Sequence, residues 1–287
     1  MKIRSITLDI GVPAPFTVIH ASDSHLCFAD MRDNERKVKL GENRANAFTG
    51  NRPELLPQYA EELFALSREK GETIIYTGDF IDFVSVANLE YAKKLFTGAD
   101  CFMAAGNHEY SLYVGEAWED EDYKKQSFDD VLAAFPCNNI WYDERVIHGV
   151  KFVAIDNNYY YVTPEQFERF RKACEGEMPV ILCVHTPLYS ENAYAYEMRN
   201  KDVTKRLPFL MGTPAHLLDK TTNPGAKRQY PDEITLEFLD FCNKTPNLKA
   251  VIAGHVHGYG ETKLDSGIPQ ITVCGGYHGE VNEITIV

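Results

Sequence analysis

The sequence predicts an α/β fold in which strands alternate with helices and the helices lie outside the strands. Short apolar, β-branched runs recur along the chain, and longer segments of helical character lie between them. The chain has 287 residues, of which 44% are hydrophobic, which is enough for a sizeable core. We find no internal repeat and no low-complexity linker, so we predict a single domain over residues 1–287.

The predicted elements follow one another in a regular order. They are a strand at 16–23, a helix at 53–71, a strand at 73–79, a helix at 85–97, a strand at 101–107, a helix near 126–135, a strand at 150–157, a helix at 163–173, a strand at 179–185, a helix at 231–244, a strand at 248–255 and strand-like alternation from 261 to 287. Helix boundaries are marked by local signals, such as Thr163 before Pro164 at a helix start and Gly71 just past a helix end.

Two long segments do not fit this alternation and are predicted to be insertions that determine the substrate. Residues 26–52 are rich in Arg and Asn, and residues 186–230 are rich in Tyr and Pro. Irregular segments of this length are usually functional or disordered. The candidate substrate-binding residues are Arg36 and Arg44 for an anionic group, and Tyr189 and Tyr194 for stacking on a ring. The alternatives are solvated loop charges and ordinary loop packing. A further acidic stretch, 116–123, is expected to be a solvated face.

The charge of the chain restricts its partners. The formal net charge is −13 and the isoelectric point is near 5.2. General nucleic-acid binding requires basic patches that face phosphates, so we do not expect it. A small anionic substrate held by a local positive charge remains compatible with this composition, and the oligomeric state stays open.

The cysteines and the apolar runs indicate the compartment. No run is long enough for a transmembrane helix, and the N-terminus lacks the apolar segment of a signal peptide, so we expect no membrane association. The seven cysteines are odd in number and scattered, without a CxxC pair. This usage is typical of reduced thiols in the cytoplasm.

Five predicted strands end in residue types that bind metals. The candidates are Asp23, His25, Asp79, Asp82, Asn107, His108, His185, His255 and His257. In open α/β sheets, ligands collect at the carboxyl ends of the strands, so these side chains are expected to share one pocket. Imidazole and carboxylate together suit Mn, Fe or Zn better than Mg or Ca. Each motif is weak alone, but five in succession at strand ends predict a metal centre.

These motifs resemble those of the calcineurin-like metallophosphoesterases. The series "DSH … GDFID … GNHE … H … GHVH" runs from Asp23 to His257, and every signature position is filled. The resemblance implies a four-layer αββα sandwich with two mixed β-sheets flanked by helices. It also implies a dinuclear metal centre between the sheets.

The resemblance assigns a role to each residue. Asp79 would bridge two metal ions. The candidate metals are Mn and Fe, with Zn as the alternative. One metal would take Asp23, His25 and His257, and the other would take Asn107, His185 and His255. His108 would face the substrate, and Asp82 would fix its tautomer and direction. The implied reaction is in-line attack on phosphorus by a hydroxide that bridges the metals.

Two differences from the motifs of known subgroups of the family narrow the range of substrates that we expect. Asp82 is followed by Phe83 and Val84 instead of the Arg-Gly of Ser/Thr protein phosphatases. The tyrosine that ligates metal in purple acid phosphatases is replaced by Asp82. We therefore predict a hydrolase of small-molecule phosphoesters, with phosphodiesters preferred. The alternatives are a phosphomonoesterase, a nucleotide pyrophosphohydrolase on the same centre, and a non-catalytic metal-binding scaffold.

Overall fold

The computed structural model describes residues 1–115 and 120–287. The predicted acidic face therefore falls partly, at 116–119, outside the described residues. The α-helices of the described chain are α1 (Glu35–Thr49), α2 (Leu55–Lys70), α3 (Val86–Phe96), α4 (Glu121–Ala134), α5 (Pro164–Ala173), α6 (Glu191–Glu197), α7 (Ala215–Leu218) and α8 (Glu233–Lys244).

The strands form two mixed sheets, as predicted. They are β1 (Lys2–Leu8), β2 (Phe16–Ala21), β3 (Ile74–Tyr76), β4 (Cys101–Met103), β5 (Tyr142–Ile147), β6 (Val150–Ile155), β7 (Val180–Val184), β8 (Leu248–Ala253), β9 (Gly260–Lys263), β10 (Pro269–Thr272) and β11 (Glu280–Ile286). The first sheet has the order β1-β11-β2-β3-β4, and the second has the order β5-β6-β7-β8-β10-β9. Strands β2, β3 and β4 are parallel neighbours, as are β7 and β8, so their carboxyl ends lie at common edges.

Three hydrophobic clusters lie between four layers of helices and sheets, which confirms the αββα sandwich. One cluster joins the inner faces of the two sheets, with Val18, Ile75 and Phe102 from the first sheet packed with Phe152 and Ile181 from the second. A second cluster packs α2, α3 and α4 on the first sheet, and a third packs α5 and α8 on the second. The polar residues that follow the strands cannot be buried in these apolar clusters, so they lie at the edge of the sandwich.

The segment 26–52 is more regular than the sequence predicted, because it contains α1. Its low apolar content hid the helical pattern, yet both ends carry ordinary signals. The side chain of Asn34 accepts a hydrogen bond from the backbone N–H of Lys37, and Gly50 follows the helix in a left-handed conformation. Gly41 lets α1 approach closely, since a Cβ there would lie 2.9 Å from the carbonyl oxygen of Cys27.

Other elements also differ from the prediction. The structure adds β1 and β5, and α4 begins at Glu121 because Asp120 caps it, five residues before the predicted start. The segment 186–230 contains α6, α7 and a 3₁₀ helix at Pro224–Gln229. Whether either segment determines the substrate stays a prediction. Within the described part of the chain, none of the helices has the length and apolar character that crossing a bilayer demands.

Candidate metal centre

Six of the predicted residues form two groups at the carboxyl ends of four strands, and a third group joins His25 to Asp82 and His108. Asp23, His25, Asp79 and His257 make one group, in which each residue offers a ligand atom within 4.8 Å of the others. Asp79, His185 and His255 make a second group by the same measure. Asp79 belongs to both groups, which is the position a bridging ligand requires.

The nitrogen atoms within each group converge. In the first group, the Nε2 atoms of His25 and His257 lie 3.0 Å apart, and Asp23 Oδ1 lies 3.3 Å from His257 Nε2. In the second, His185 Nε2 lies 3.1 Å from His255 Nδ1 and 3.1 Å from Asp79 Oδ2. The Asn107 Oδ1 atom lies 3.1 Å from His185 Nε2, so it joins the second group.

Each histidine of the two groups is held through its other ring nitrogen. The Nδ1 atom of His25 bonds to Asp82 Oδ1 at 2.9 Å, and the Nδ1 atom of His185 bonds to the carbonyl oxygen of Thr77 at 2.6 Å. His255 Nε2 lies 3.0 Å from the Tyr160 hydroxyl, and His257 Nδ1 lies 3.2 Å from the Tyr277 hydroxyl. With the proton on the outer nitrogen, every inner nitrogen presents a lone pair, which is the arrangement of metal-ligating histidines.

An unsatisfied carboxylate oxygen supports the same assignment. Asp23 Oδ1 is buried and has no hydrogen-bond partner among the described residues. A buried carboxylate is costly without a hydrogen bond or a cation. The orphaned oxygen and the converging lone pairs therefore fit two metal ions, with the donor set that the sequence predicted.

The backbone is strained at most of the candidate ligands. Five of the seven have a positive φ: Asp23 (55°), His25 (47°), Asp79 (57°), His255 (68°) and His257 (51°). Left-handed conformations are unfavourable for residues with a Cβ, and such strain concentrates at functional sites. The strain turns these side chains away from the strand direction and into the shared pocket.

Two glycines permit the strand ends to approach one another. A Cβ at Gly106 would overlap the Asp79 carboxylate, and a Cβ at Gly254 would overlap the Ser22 hydroxyl. Both positions precede a candidate ligand, and the absence of a side chain there lets the strand ends meet.

Glu109 organises the site, although the sequence analysis gave it no role. Its buried carboxylate accepts hydrogen bonds from the backbone N–H groups of Asp79 (2.7 Å), Phe80 (2.7 Å) and Gly106 (2.6 Å). Burial and the neighbouring Asp79 raise the pKa of Glu109 to about 8, although these hydrogen bonds act in the opposite direction. Its place directly after His108 in "GNHE" was the only signal in the sequence.

Asp82 contacts His108 differently from the prediction. The backbone carbonyl of Asp82 lies 2.8 Å from His108 Nδ1, while its carboxylate Oδ1 lies 3.3 Å away. The carboxylate bonds instead to His25 and, at 2.8 and 2.7 Å, to the guanidinium of Arg44. Burial raises the pKa of Asp82, but Arg44 and the two histidines outweigh this and hold it below its usual value.

Helix α1 supplies two residues that support His25. Arg44 bonds to the Asp82 carboxylate, which in turn bonds to Nδ1 of His25. Phe48, one turn later, stacks on the His25 ring with centroids 4.7 Å apart and an angle of 17°. The guanidinium of Arg44 also lies over the Phe48 ring, 4.6 Å from its centroid. Arg44 thus contacts Asp82 here, and its predicted substrate-binding role stays a prediction.

The other predicted substrate-binding residues lie away from these contacts. Arg36 is exposed and lines a cavity of about 800 Å³ between α1 and residues 112–115. Tyr189 and Tyr194 pack with the core of the second sheet, and the Tyr189 hydroxyl donates to Glu191. The structure therefore favours the packing interpretation of the two tyrosines.

The charged groups of the centre shift one another's pKa values. Burial lowers the pKa of His185, but Asp79 and Asp23 outweigh it and raise the value to about 10. Burial raises the pKa of Asp23, but His257 and His185 outweigh it and bring the value to about 2. Metal binding must displace the His185 proton, so affinity should rise with pH.

Comparison with known proteins decides the family. Residues 16–259 match the sequence profile of the calcineurin-like phosphoesterases, a span that contains every candidate ligand. The chain belongs to the calcineurin-like phosphoesterases. It is accordingly a metallophosphoesterase, a hydrolase of phosphoester bonds that depends on a dinuclear metal centre, as the motifs implied. No match was found among curated protein sequences.

Solved structures share the calcineurin-like fold at low sequence identity. A dimetal phosphatase from Danio rerio is similar at 13% identity with a TM-score of 0.52, covering 91% of this chain and 88% of that one. The phosphopantetheinyl hydrolase from Mycobacterium tuberculosis is similar at 12% identity with a TM-score of 0.47, covering 90% and 89%. At 13% identity the similarity to the dimetal phosphatase shows a shared fold alone, and the substrate of this calcineurin-like enzyme must be argued from its own residues.

Proposed function

We propose that the protein hydrolyses small-molecule phosphodiesters with two metal ions held by the residues around Asp79. The observation that carries the proposal is the double membership of Asp79, which lies in both ligand groups. One metal would take Asp23, His25 and His257, and the other would take Asn107, His185 and His255. Imidazole and carboxylate donors suit Mn or Fe, with Zn as the alternative.

The metals would supply Lewis acidity and water activated near neutral pH. The protein's own contribution is to fix the ligands, and the four hydrogen bonds on the outer ring nitrogens do this. His108 is the candidate catalytic residue. Its Nδ1 bonds to the carbonyl of Asp82, so its Nε2 is the atom that would donate to a phosphoryl or leaving-group oxygen.

The charges near the centre support a diester over a monoester. A monoester dianion carries one more negative charge than a diester and needs an additional cation. Arg44, which was the predicted candidate for that task, is bonded to Asp82 instead. The alternative of a nucleotide pyrophosphohydrolase is supported by one feature, a basic pocket next to His255 that is described below.

The proposed setting is the cytoplasm, with no nucleic-acid partner. All seven cysteines are free, and five are buried, which supports a reducing compartment. The net charge of −13 opposes general nucleic-acid binding. We also propose that the whole chain acts as one domain, in which residues 26–52 and 186–230 select the substrate.

The test is a pair of rates on the Mn²⁺-loaded protein. Hydrolysis of bis(p-nitrophenyl) phosphate is compared with that of p-nitrophenyl phosphate, and the Asp79→Ala variant serves as the blank. We expect diester hydrolysis well above the blank and above the monoester rate. A dominant monoester rate would replace the diester assignment by a phosphomonoesterase, and blank-level rates on both would contradict a general phosphodiesterase.

A further inference from the structure

A basic pocket of about 450 Å³ is linked to the metal centre through one residue, Phe209. Phe209 lines this pocket, and its ring also meets the ring of His255 edge-on, with centroids 5.5 Å apart. His255 belongs to the second ligand group. Phe209 therefore connects the pocket with the second ligand group.

The pocket carries positive charge in an otherwise acidic protein. Lys201, Lys205 and Arg206 line it together with a single carboxylate, that of Asp202. Lys201 pairs with Glu197, and Lys205 lies 3.3 Å from Asp202. Among the described residues no carboxylate pairs with Arg206. One positive charge of the pocket is thus left without a counter-charge.

The backbone that carries Arg206 is fixed by local hydrogen bonds. The Asp202 side chain accepts from the backbone N–H and the hydroxyl of Thr204, at 3.0 and 2.7 Å. The backbone N–H of Arg206 donates to the Asp202 carbonyl at 3.0 Å, which closes a helical turn. The Thr204 carbonyl then accepts from the backbone N–H of Thr222 at 2.8 Å, so the turn is tied to a second part of the segment 186–230.

Phe209 is held against His255 in an unfavourable backbone conformation. Its φ of 43° lies in the left-handed region, which a bulky side chain adopts only when its surroundings impose it. The ring packs on a small cluster of Leu207, Leu218 and Ala226. Strain of this kind is typical of ligand-contacting positions.

We propose that this pocket binds an anionic group on the non-reacting part of the substrate, with Arg206 as its charge partner. The inference rests on the proposed function, because the pocket is a subsite of the same reaction. It narrows the substrate class to phosphoesters that carry a second anionic group, a carboxylate or a phosphate, beyond a planar spacer that contacts Phe209. Such a group would supply the counter-charge that Arg206 lacks among the described residues, in the pocket that Phe209 lines.

The experiment compares two phosphodiesters of equal shape that differ in one charge. Methyl 4-carboxyphenyl phosphate carries the additional anion, and methyl 4-carbamoylphenyl phosphate carries a neutral amide of similar size. The quantity measured is the ratio of their kcat/KM values in wild type, in Arg206→Gln and in Arg68→Gln. Arg68 is an exposed arginine on α2, outside the pocket, so its variant controls for the loss of one surface charge. Ratios between variants cancel the intrinsic difference in leaving-group reactivity.

We expect the ratio to fall about fivefold in Arg206→Gln, mainly through KM, and to stay at the wild-type value in Arg68→Gln. Added salt should lower the ratio in wild type and leave it unchanged in Arg206→Gln. An analogue with a 4-phosphonate group separates the two anion classes, since a larger fall in kcat/KM on Arg206→Gln for the phosphonate than for the carboxylate would assign a phosphate, and a smaller fall would assign a carboxylate. An unchanged ratio in Arg206→Gln would contradict the anionic subsite. If the neutral ester is hydrolysed above the blank in that case, the proposed function is still supported. Hydrolysis of none of these esters above the Asp79→Ala blank overturns both.

Discussion

Arg44 of α1 forms two hydrogen bonds to the buried carboxylate of Asp82, at 2.8 and 2.7 Å. The same carboxylate holds the Nδ1 atom of His25, so a helix within the predicted insertion 26–52 fixes the orientation of a candidate metal ligand. The Asp82 carboxylate is fully buried, whereas the Arg44 side chain is 33% exposed. Arg44 therefore neutralises a buried charge that is linked to the metal centre through the His25 ring.

Removal of Arg44 should destabilise the protein. In Arg44→Met the Asp82 carboxylate loses two charged hydrogen bonds, and an unsatisfied buried acceptor costs about 1–3 kcal/mol. Urea unfolding of the metal-free protein measures this loss. Arg36→Met, on the exposed side of the same helix, is the matched control and should unfold near the wild-type concentration. Equal unfolding midpoints for the two variants would rule out the structural importance of the Arg44–Asp82 pair.

Replacement of His108 should lower turnover without removing metal. The His108 imidazole is absent from both ligand groups around Asp79, and its backbone N–H donates to Asp79 Oδ1 at 2.8 Å, a bond that alanine keeps. We expect His108→Ala to retain two metals by elemental analysis and to lose activity by about 10²–10⁴-fold. His216→Ala, on α7, is the control. Unchanged turnover in His108→Ala would show that His108 has no catalytic role.

Loss of the bridging carboxylate should disrupt both metal positions. Asp79→Asn keeps the shape of the side chain but not its charge, so both groups lose an anionic donor. Wild type should be stabilised by Mn²⁺, because a ligand that binds only the folded state raises the unfolding temperature. Thermal unfolding with increasing Mn²⁺ should show this rise in wild type and a much smaller one in Asp79→Asn. Equal rises would place the metal elsewhere.

The two tyrosines that contact histidines should act on different metals. Tyr160 lies next to His255 in the second group, and Tyr277 lies next to His257 in the first. Loss of such an outer hydrogen bond typically weakens metal binding by about 10–100-fold. In stepwise Co²⁺ titrations followed by absorbance, Tyr160→Phe and Tyr277→Phe should each weaken one binding step, and not the same one. If both variants weaken the same step, the assignment of ligands to two metals is wrong.

His20 should make the metal-free protein less stable in acid. Burial lowers the pKa of His20 to about 3 against the opposing effect of Asp23, so the folded state keeps it neutral. The unfolded chain binds a proton near pH 6.5, and stability is therefore lost as the pH falls below 6.5 towards 3. At pH 5 the cost is about 2 kcal/mol.

The His20→Gln variant tests this prediction because glutamine cannot gain the proton. The decrease in unfolding free energy between pH 7.5 and pH 5 should be about 2 kcal/mol smaller in His20→Gln than in wild type. A variant with the wild-type pH dependence would show that other groups cause the acid sensitivity.

The layers and most elements followed from the sequence where the local pattern was strong. The helix 163–173 was predicted because Thr163 and Pro164 mark its start, and the structure has α5 at Pro164–Ala173 with a capping box between Thr163 and Gln166. Helix α1 was missed because its polar composition gives a weak apolar stripe, and its packing depends on the close contact at Gly41. Local sequence signals thus identified the elements that have clear caps and a clear apolar pattern. They failed for α1, whose burial depends on contact with residues distant in sequence.

The sequence alone determined which residues are candidate ligands, because each follows directly on a strand and the chain itself fixes its place at the strand end. Only the tertiary structure decided what holds those ligands. Tyr160 is 95 positions from His255, and Arg44 is 38 positions from Asp82, so no local pattern connects them. From the sequence alone, Arg44 could equally have bound a substrate. The packing of α1 on the first sheet places it in contact with Asp82. Ligand identity is a property of local sequence, whereas ligand orientation depends on hydrogen bonds between elements that are distant in sequence and meet only in the folded chain.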